Sequence, residues 1–224
     1  FVKKNFLFSI YLFLLNKINL TFRLNYYKIN MATAIPMKKE NPNAVIEVAT
    51  FAGGCFWCTE AVFLALEGVK AVVSGYIGGQ TVRPTYKEIC TGTTGHAEAV
   101  QITFDAKKVS FAELLSIFFA THDPTTLNRQ GNDVGTQYRS EVFYHNESQK
   151  TFTEDYINLL NASKTFNQPI VTKISEATVF YPAEAYHQNY YNQNKSQGYC
   201  SFVIAPKMEK LQQYFSSNLK KQTV

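Results

Sequence analysis

Residues 44–79 read AVIEVATFAGGCFWCTEAVFLALEGVKAVVSGYIGG, and this stretch decides the fold. Ala44 to Phe51 alternates around Val45, Ile46 and Val48, the pattern of a strand. Gly53-Gly54 ends it. Phe56 to Leu66 then reads as a helix closed by Gly68. Val69 to Ile77 is a second strand, stopped by Gly78-Gly79. Outward from here, Pro84 to Cys90 predicts a short helix entered through proline, and Glu98 to Phe104 a third alternating strand. Ser110 with Glu113 forms a capping-box signature. Phe111, Leu114, Leu115, Phe118 and Phe119 follow at i, i+3, i+4, i+7 and i+8, the buried face of a helix. Ser140 to Tyr144 is a fourth strand, reached through a long polar loop from Asp123 to Arg139. The order β-α-β-β-α-β predicts an α+β, ferredoxin-like core, an antiparallel sheet with helices on one face. Downstream come a helix from Asn146 to about Asn161, an extended run from Ile170 to Phe180 and a Tyr-rich helical stretch over 183–192. An irregular segment over 193–205 and a last helix from Pro206 complete an extended tail that wraps the core.

The chain has 224 residues, enough to bury a sizeable core. Its 14 Tyr and 18 Phe argue against disorder. The net charge of +5 is unevenly placed. Residues 1–30 hold Lys3, Lys4, Lys17, Arg23 and Lys28 and no acid, which leaves 17 basic and 17 acidic residues in the body. The body therefore gives no compositional reason to expect nucleic acid as a partner. Phe6 to Leu15 is apolar except for Ser9, too short to span a bilayer, so no membrane partner is expected. Met31-Ala32-Thr33-Ala34 resembles an ordinary start. Residues 1–43 are expected to be a leader outside the catalytic domain at 44–224, with 1–30 a translated extension and the protein cytoplasmic. A transit leader to a mitochondrion or plastid is the alternative. A monomer is the default expectation.

Four cysteines do not make a disulfide scaffold and point to a reducing compartment. Cys55 falls at the predicted N-terminus of the first helix, where free N–H groups favour an anion. A free thiol titrates near about 8.5, and such a position can lower that value. Cys58 adds a C-x-x-C spacing. It can be read as a redox pair or as half a zinc site that lacks two further ligands. Phe56 and Trp57 between them offer an apolar binding surface. Glu98 enters a strand, and a carboxyl placed beside aromatic rings has a raised pKa and can donate a proton; alone, it reads equally as a solvated side chain. Tyr86 can supply a phenolic hydroxyl or a core ring. Residues Gln130 to Ser140 fill the long loop, where Asp133 and Tyr138 can line a pocket or belong to ordinary turns. Cys200, in the irregular tail, can travel to meet an oxidised thiol or be idle. Cys90 is expected to be structural and buried.

Taken together, Gly53-Gly54-Cys55-Phe56-Trp57, Pro84-Thr85-Tyr86, Gly95-His96-Ala97-Glu98, the Gln130–Ser140 block and Gly198-Tyr199-Cys200 resemble the A-type peptide methionine sulfoxide reductases over residues 45–206. The resemblance implies that Cys55 attacks the sulfoxide sulfur, that Phe56 and Trp57 hold the substrate methyl group, and that protonated Glu98 donates to the sulfoxide oxygen. Tyr86 and Tyr138 would add hydrogen bonds, and Asp133 would organise the pocket. The product on the enzyme would be a Cys55 sulfenic acid, resolved by Cys200 or by Cys58. Thioredoxin would then reduce the disulfide, and no metal or organic cofactor would be needed. The implied substrates are the S-epimer of methionine sulfoxide in oxidised proteins and free.

Overall fold

The computed structural model describes residues 46–221; the readings of a leader and a start at Met31 lie outside them. Strand β1 (Ile46–Gly53) leads into helix α1 (Phe56–Leu64), and β2 (Val69–Ile77) returns. Helix α2 (Tyr86–Cys90), β3 (Ala97–Asp105) and α3 (Phe111–Thr121) follow, and then the short hairpin β4 (Arg129–Gln130) and β5 (Asp133–Val134). Strand β6 (Ser140–Tyr144) closes the predicted unit. Helix α4 (Glu147–Ala162), β7 (Lys173–Glu176), β8 (Tyr181–Pro182), the single turn α5 (Tyr190–Gln193) and α6 (Ala205–Phe215) form the tail.

The sheet order is β7-β6-β1-β3-β2-β8. Its inner four strands carry the ferredoxin-like arrangement. Strand β3 lies between β1 and β2 and runs antiparallel to both, and β6 pairs antiparallel with the outer side of β1. The tail does more than wrap the core. Strand β7 adds in parallel to β6 and β8 adds antiparallel to β2, so the sheet gains an edge strand on each side.

Alternation along β1 sends Ala49 and Phe51 towards α1 and α3. Phe51 is fully buried and stacks on Phe118 at 4.9 Å, with Phe63 at 5.5 Å and Phe111 at 5.9 Å. Burying one such ring contributes about 1.5–3 kcal/mol. The opposite face is covered as well. Ala52, Ile77, Ala97, Ala99 and Phe143 form a second cluster under Ala177 and Phe180. Small residues make this possible. A Cβ on Gly75 would lie 2.4 Å from the Phe180 ring, so only glycine lets the tail lie flat on β2.

The Ser110–Glu113 box is formed in both directions, and Thr85 with Glu88 makes a second one that starts α2 at Tyr86, two residues later than the proline signal implied. Two readings of the tail change. The Tyr-rich stretch is not one helix, because Asn189 adopts a left-handed φ of 52° and separates a 3-10 turn at Ala185–His187 from α5. The segment before Pro206 is not wholly irregular, because Cys200–Ile204 forms a π-helical turn that runs into α6 and buries Cys200 completely. Cys90, expected to be buried, is exposed at the end of α2. Among the described residues, no helix is long and apolar enough to cross a membrane.

Candidate active site

The site is built on the turn from β1 to α1. Gly54 takes a φ of 90°, and a Cβ there would meet the Gln130 side chain at 2.5 Å. Glycine therefore lets the turn fold tightly beneath the β4–β5 hairpin. Cys55 becomes the N-cap of α1, and its side chain makes no capping hydrogen bond. The free amide of the first turn is taken instead by Glu98, whose Oε2 accepts from the Phe56 N–H at 3.1 Å. Glu98 is 1% exposed. Burial pushes its carboxyl up to about 8, the Phe56 N–H opposes that rise, and the negative charges of Asp133 and Cys58 add to it. At pH 7 the carboxyl is roughly nine-tenths protonated.

The thiol departs from the sequence reading. Burial pushes Cys55 well above the ordinary thiol range, and its hydrogen bond to Cys58 and the charge of Glu98 push the same way. Cys58 moves down, because Cys55 donates to it and Lys207 lies near it, although its own burial opposes the shift. Burial outweighs the helix terminus, whose Phe56 amide is already engaged by Glu98.

Tyr199 links this pair to the hairpin. Its hydroxyl donates to Asp133 Oδ2 at 2.8 Å and lies 3.8 Å from Cys58 Sγ. Burial first, and then the charges on Cys55 and Cys58, keep it protonated. Tyr86 and Tyr138 are likewise held protonated by burial and, next, by the charge of Glu98. All three phenols therefore remain hydrogen-bond donors.

Aromatic rings enclose the side facing Trp57. Phe56 lies 5.2 Å from His187 and 6.4 Å from Tyr86, and Tyr86 lies 4.3 Å from His187. Trp57 stacks on Tyr190 at 3.8 Å with an angle of 7°, and meets Tyr199 edge-on at 5.9 Å. Its indole N–H donates to His187 Nδ1 at 3.1 Å. Glu184 anchors the cage from the tail, accepting the Tyr86 N–H and the Tyr76 hydroxyl, each at 2.9 Å.

The structure thus gathers Cys55, Cys58, Phe56, Trp57, Tyr86, Glu98, Asp133 and Tyr138 at one end of the sheet. Cys200 is completely buried near Cys58, whose charge adds to burial in raising the Cys200 thiol. Sequence reasoning gave no role to Tyr199, His187, Tyr190 or Glu184. The signal available was the clustering of His187, Tyr190 and Tyr191 in one short stretch. Among the described residues, no three His, Cys, Asp or Glu side chains converge as a metal set.

Comparison with known proteins agrees with this geometry. The family model for peptide methionine sulfoxide reductase matches residues 47–219. The chain is 56% identical over 177 residues to peptide methionine sulfoxide reductase MsrA of Acinetobacter baumannii, covering 79% of this chain and 100% of that one. It is 55% identical over 179 residues to MsrA of Deinococcus radiodurans, covering 80% of this chain and 87% of that one. Among solved structures, the reduced form of Mxr1 from Saccharomyces cerevisiae superposes with a TM-score of 0.64 at 33% identity, covering 72% of this chain and 92% of that one. Methionine sulfoxide reductase A of Corynebacterium diphtheriae gives 0.62 at 34% identity, covering 75% and 83%. The family model spans most of the chain and the relatives cover most of their own length at 55–56% identity, so the chain belongs to the peptide methionine sulfoxide reductase family, whose members reduce methionine sulfoxide.

Proposed function

We propose that Cys55 is the nucleophile of this reductase and Glu98 its proton donor. The observation that carries the assignment is the position of Glu98, a buried carboxyl raised to about 8 and hydrogen-bonded to the amide of the residue after Cys55. Sulfoxide oxygen leaves poorly unless it is protonated, whereas sulfur attacks only as thiolate. A neutral Glu98 removes the charge that opposes ionisation of Cys55. The hydrogen bond to Cys58 lets Cys55 pass its proton to that neighbour. The Cys55 sulfur then bonds to the sulfoxide sulfur while the oxygen takes its proton from Glu98; the hydroxyl oxygen bonds to the Cys55 sulfur as its bond to the methionine sulfur breaks, and the S–S bond breaks with its electron pair returning to methionine. Methionine departs and the oxygen stays on Cys55 as a sulfenic acid. Phe56 and Trp57 hold the methyl group, Tyr86 and Tyr138 donate to the oxygen, and Asp133, through Tyr199, fixes the hairpin side of the pocket.

A second thiol then attacks Cys55, forming a disulfide and releasing water. Cys58 is hydrogen-bonded to Cys55, which favours it while the pocket is closed. Cys200 becomes the resolver when the π-helical turn opens. Thioredoxin is the proposed external dithiol, and no prosthetic group is required. The proposed substrates are the S-epimer in proteins and free, acted on by a monomer. A chain starting at Met31 would act in the cytosol, and a fluorescent fusion with and without residues 1–30 tests that.

The decisive test is a mass-resolved peptide map after one turnover with methionine S-sulfoxide and no reductant, on the parent, Cys58→Ser and Cys200→Ser proteins. A disulfide joining Cys55 to Cys58 or to Cys200 is expected, and the single variants show which one serves. Unoxidised Cys55 in protein that has released methionine would overturn the assignment.

A further inference from the structure

The same helix that carries Cys55 also carries Glu60, whose carboxylate takes no part in the chemistry above. Glu60 is 1% exposed. Its Oε1 accepts the Asn189 N–H at 2.7 Å and its Oε2 accepts the Tyr190 N–H at 3.1 Å. Asn189 is held in the left-handed region at φ 52°, which a residue with a side chain seldom adopts without support. That turn carries Tyr190 over the Trp57 indole, while His187, two residues before Asn189, accepts the indole N–H. Two charge-assisted hydrogen bonds from one buried carboxylate therefore fix the segment that forms the far wall of the aromatic cage. Gln188 fastens the same segment to β2, with its side chain accepting the Ser74 N–H and donating to the Ser74 carbonyl.

We infer that Glu60 is a positioning residue for the substrate pocket: it clamps Asn189 and Tyr190 so that Trp57 is held between Tyr190 and His187 in the orientation that receives the substrate methyl group. The inference rests on the proposed role of Trp57. It differs from a general stabilising role, because it ties Glu60 to one ring and to substrate affinity rather than to the fold. Glutamine at this position offers one acceptor where two N–H groups need partners, and it brings an NH2 group towards a donor. Aspartate keeps the charge but shortens the reach.

Trp57 is the only tryptophan of the chain, so its near-ultraviolet circular dichroism and emission report this stack directly. The experiment compares the parent with Glu60→Gln, Glu60→Asp and Tyr190→Leu in single-turnover methionine release from N-acetyl-methionine S-sulfoxide. For Glu60→Gln, the Trp57 dichroism is expected to collapse while the far-ultraviolet spectrum is retained. The half-saturating substrate concentration rises about tenfold with the limiting rate within about threefold of the parent. Glu60→Asp lies between, and Tyr190→Leu reproduces the rise in half-saturation. An unchanged Trp57 spectrum with unchanged half-saturation in Glu60→Gln would overturn the inference. So would a lower limiting rate at unchanged half-saturation. If Glu60→Gln does not fold, Glu60→Asp and Tyr190→Leu decide alone, and unaltered half-saturation in both is the overturning result. The spectral readout needs no activity, so a parent protein that releases no methionine would count against the proposed chemistry and leave the clamp to be judged by the Trp57 spectrum.

Discussion

Glu98 and Cys55 show how far a single residue can be read from its neighbours in the chain. A carboxyl among aromatic residues is expected to rise in pKa, and Glu98 rises to about 8 because burial removes its water. A cysteine at a helix N-terminus is expected to fall, yet Cys55 rises. The first cause is burial by the surrounding fold, with the hydrogen bond to Cys58 and the charge of Glu98 adding to it. The Phe56 amide that would stabilise a thiolate is engaged by a side chain forty-two residues away in sequence. Glu98 also sets the expected pH profile. The acid form is available below about 8 and is lost above it, so kcat/KM should fall as pH rises through that value. Glu98→Gln, measured under the same conditions, should lose this alkaline limb and fall in rate by roughly 10²–10³-fold, the range of general acid catalysis. A surviving limb near pH 8 in Glu98→Gln would assign the titration to another group.

Elements were legible where their signals are short-range. The capping box at Ser110 and the periodic apolar face behind it set α3 within the protein as predicted. Ser110→Ala should lower stability by about 1 kcal/mol without altering turnover, as read by thermal unfolding and a steady-state assay. Gly54 has a larger effect because two constraints meet there. A side chain at φ 90° is strained, and its Cβ would also collide with Gln130. Gly54→Ala should destabilise by at least about 2 kcal/mol and displace Cys55 enough to abolish most methionine release. Near-parent activity in that variant would show that the turn tolerates another path. The elements that were misread are those of the tail. Asn189 turns left-handed where Glu60 accepts its own N–H and that of Tyr190, a conformation that asparagine adopts more readily than most residues. Cys200 lies in a π-helical turn because α6 packs against α1 and α3 and draws the preceding residues into helix.

At the scale of the whole molecule, one half-buried histidine ties the active-site end of the sheet to its helices. His122 donates from Nδ1 to the Phe118 carbonyl at 2.7 Å and accepts the Ser140 hydroxyl at Nε2, 2.8 Å away, beside Gly53. Burial pushes it down to about 3, against the ordinary 6.5, so it is neutral in the folded protein. The unfolded chain binds this proton more readily. The stabilisation is therefore complete above pH 6.5 and is lost as pH falls towards 3. Glu98 acts in the opposite sense: its folded pKa is raised, so its contribution is complete below 4.5 and is lost as pH rises through about 8. Denaturant unfolding across pH 3–8 should show an acid slope between 3 and 4.5 that His122→Gln flattens and a falling slope between 6.5 and about 8 that Glu98→Gln flattens, the two opposing each other in between. An acid slope unchanged in His122→Gln would assign it to other groups. The sequence by itself determined the β-α-β-β-α-β order and placed a cysteine at a strand-to-helix turn, because periodicity, glycines and caps act over a few residues. Its motifs also carried the family. Only the tertiary structure decided that Glu98 takes the Phe56 amide, that the tail supplies His187, Tyr190 and Tyr199 to the pocket, and that both sheet faces are covered. These depend on burial and on hydrogen bonds between residues far apart in the chain, and no local pattern encodes which distant group will remove the water or take the amide.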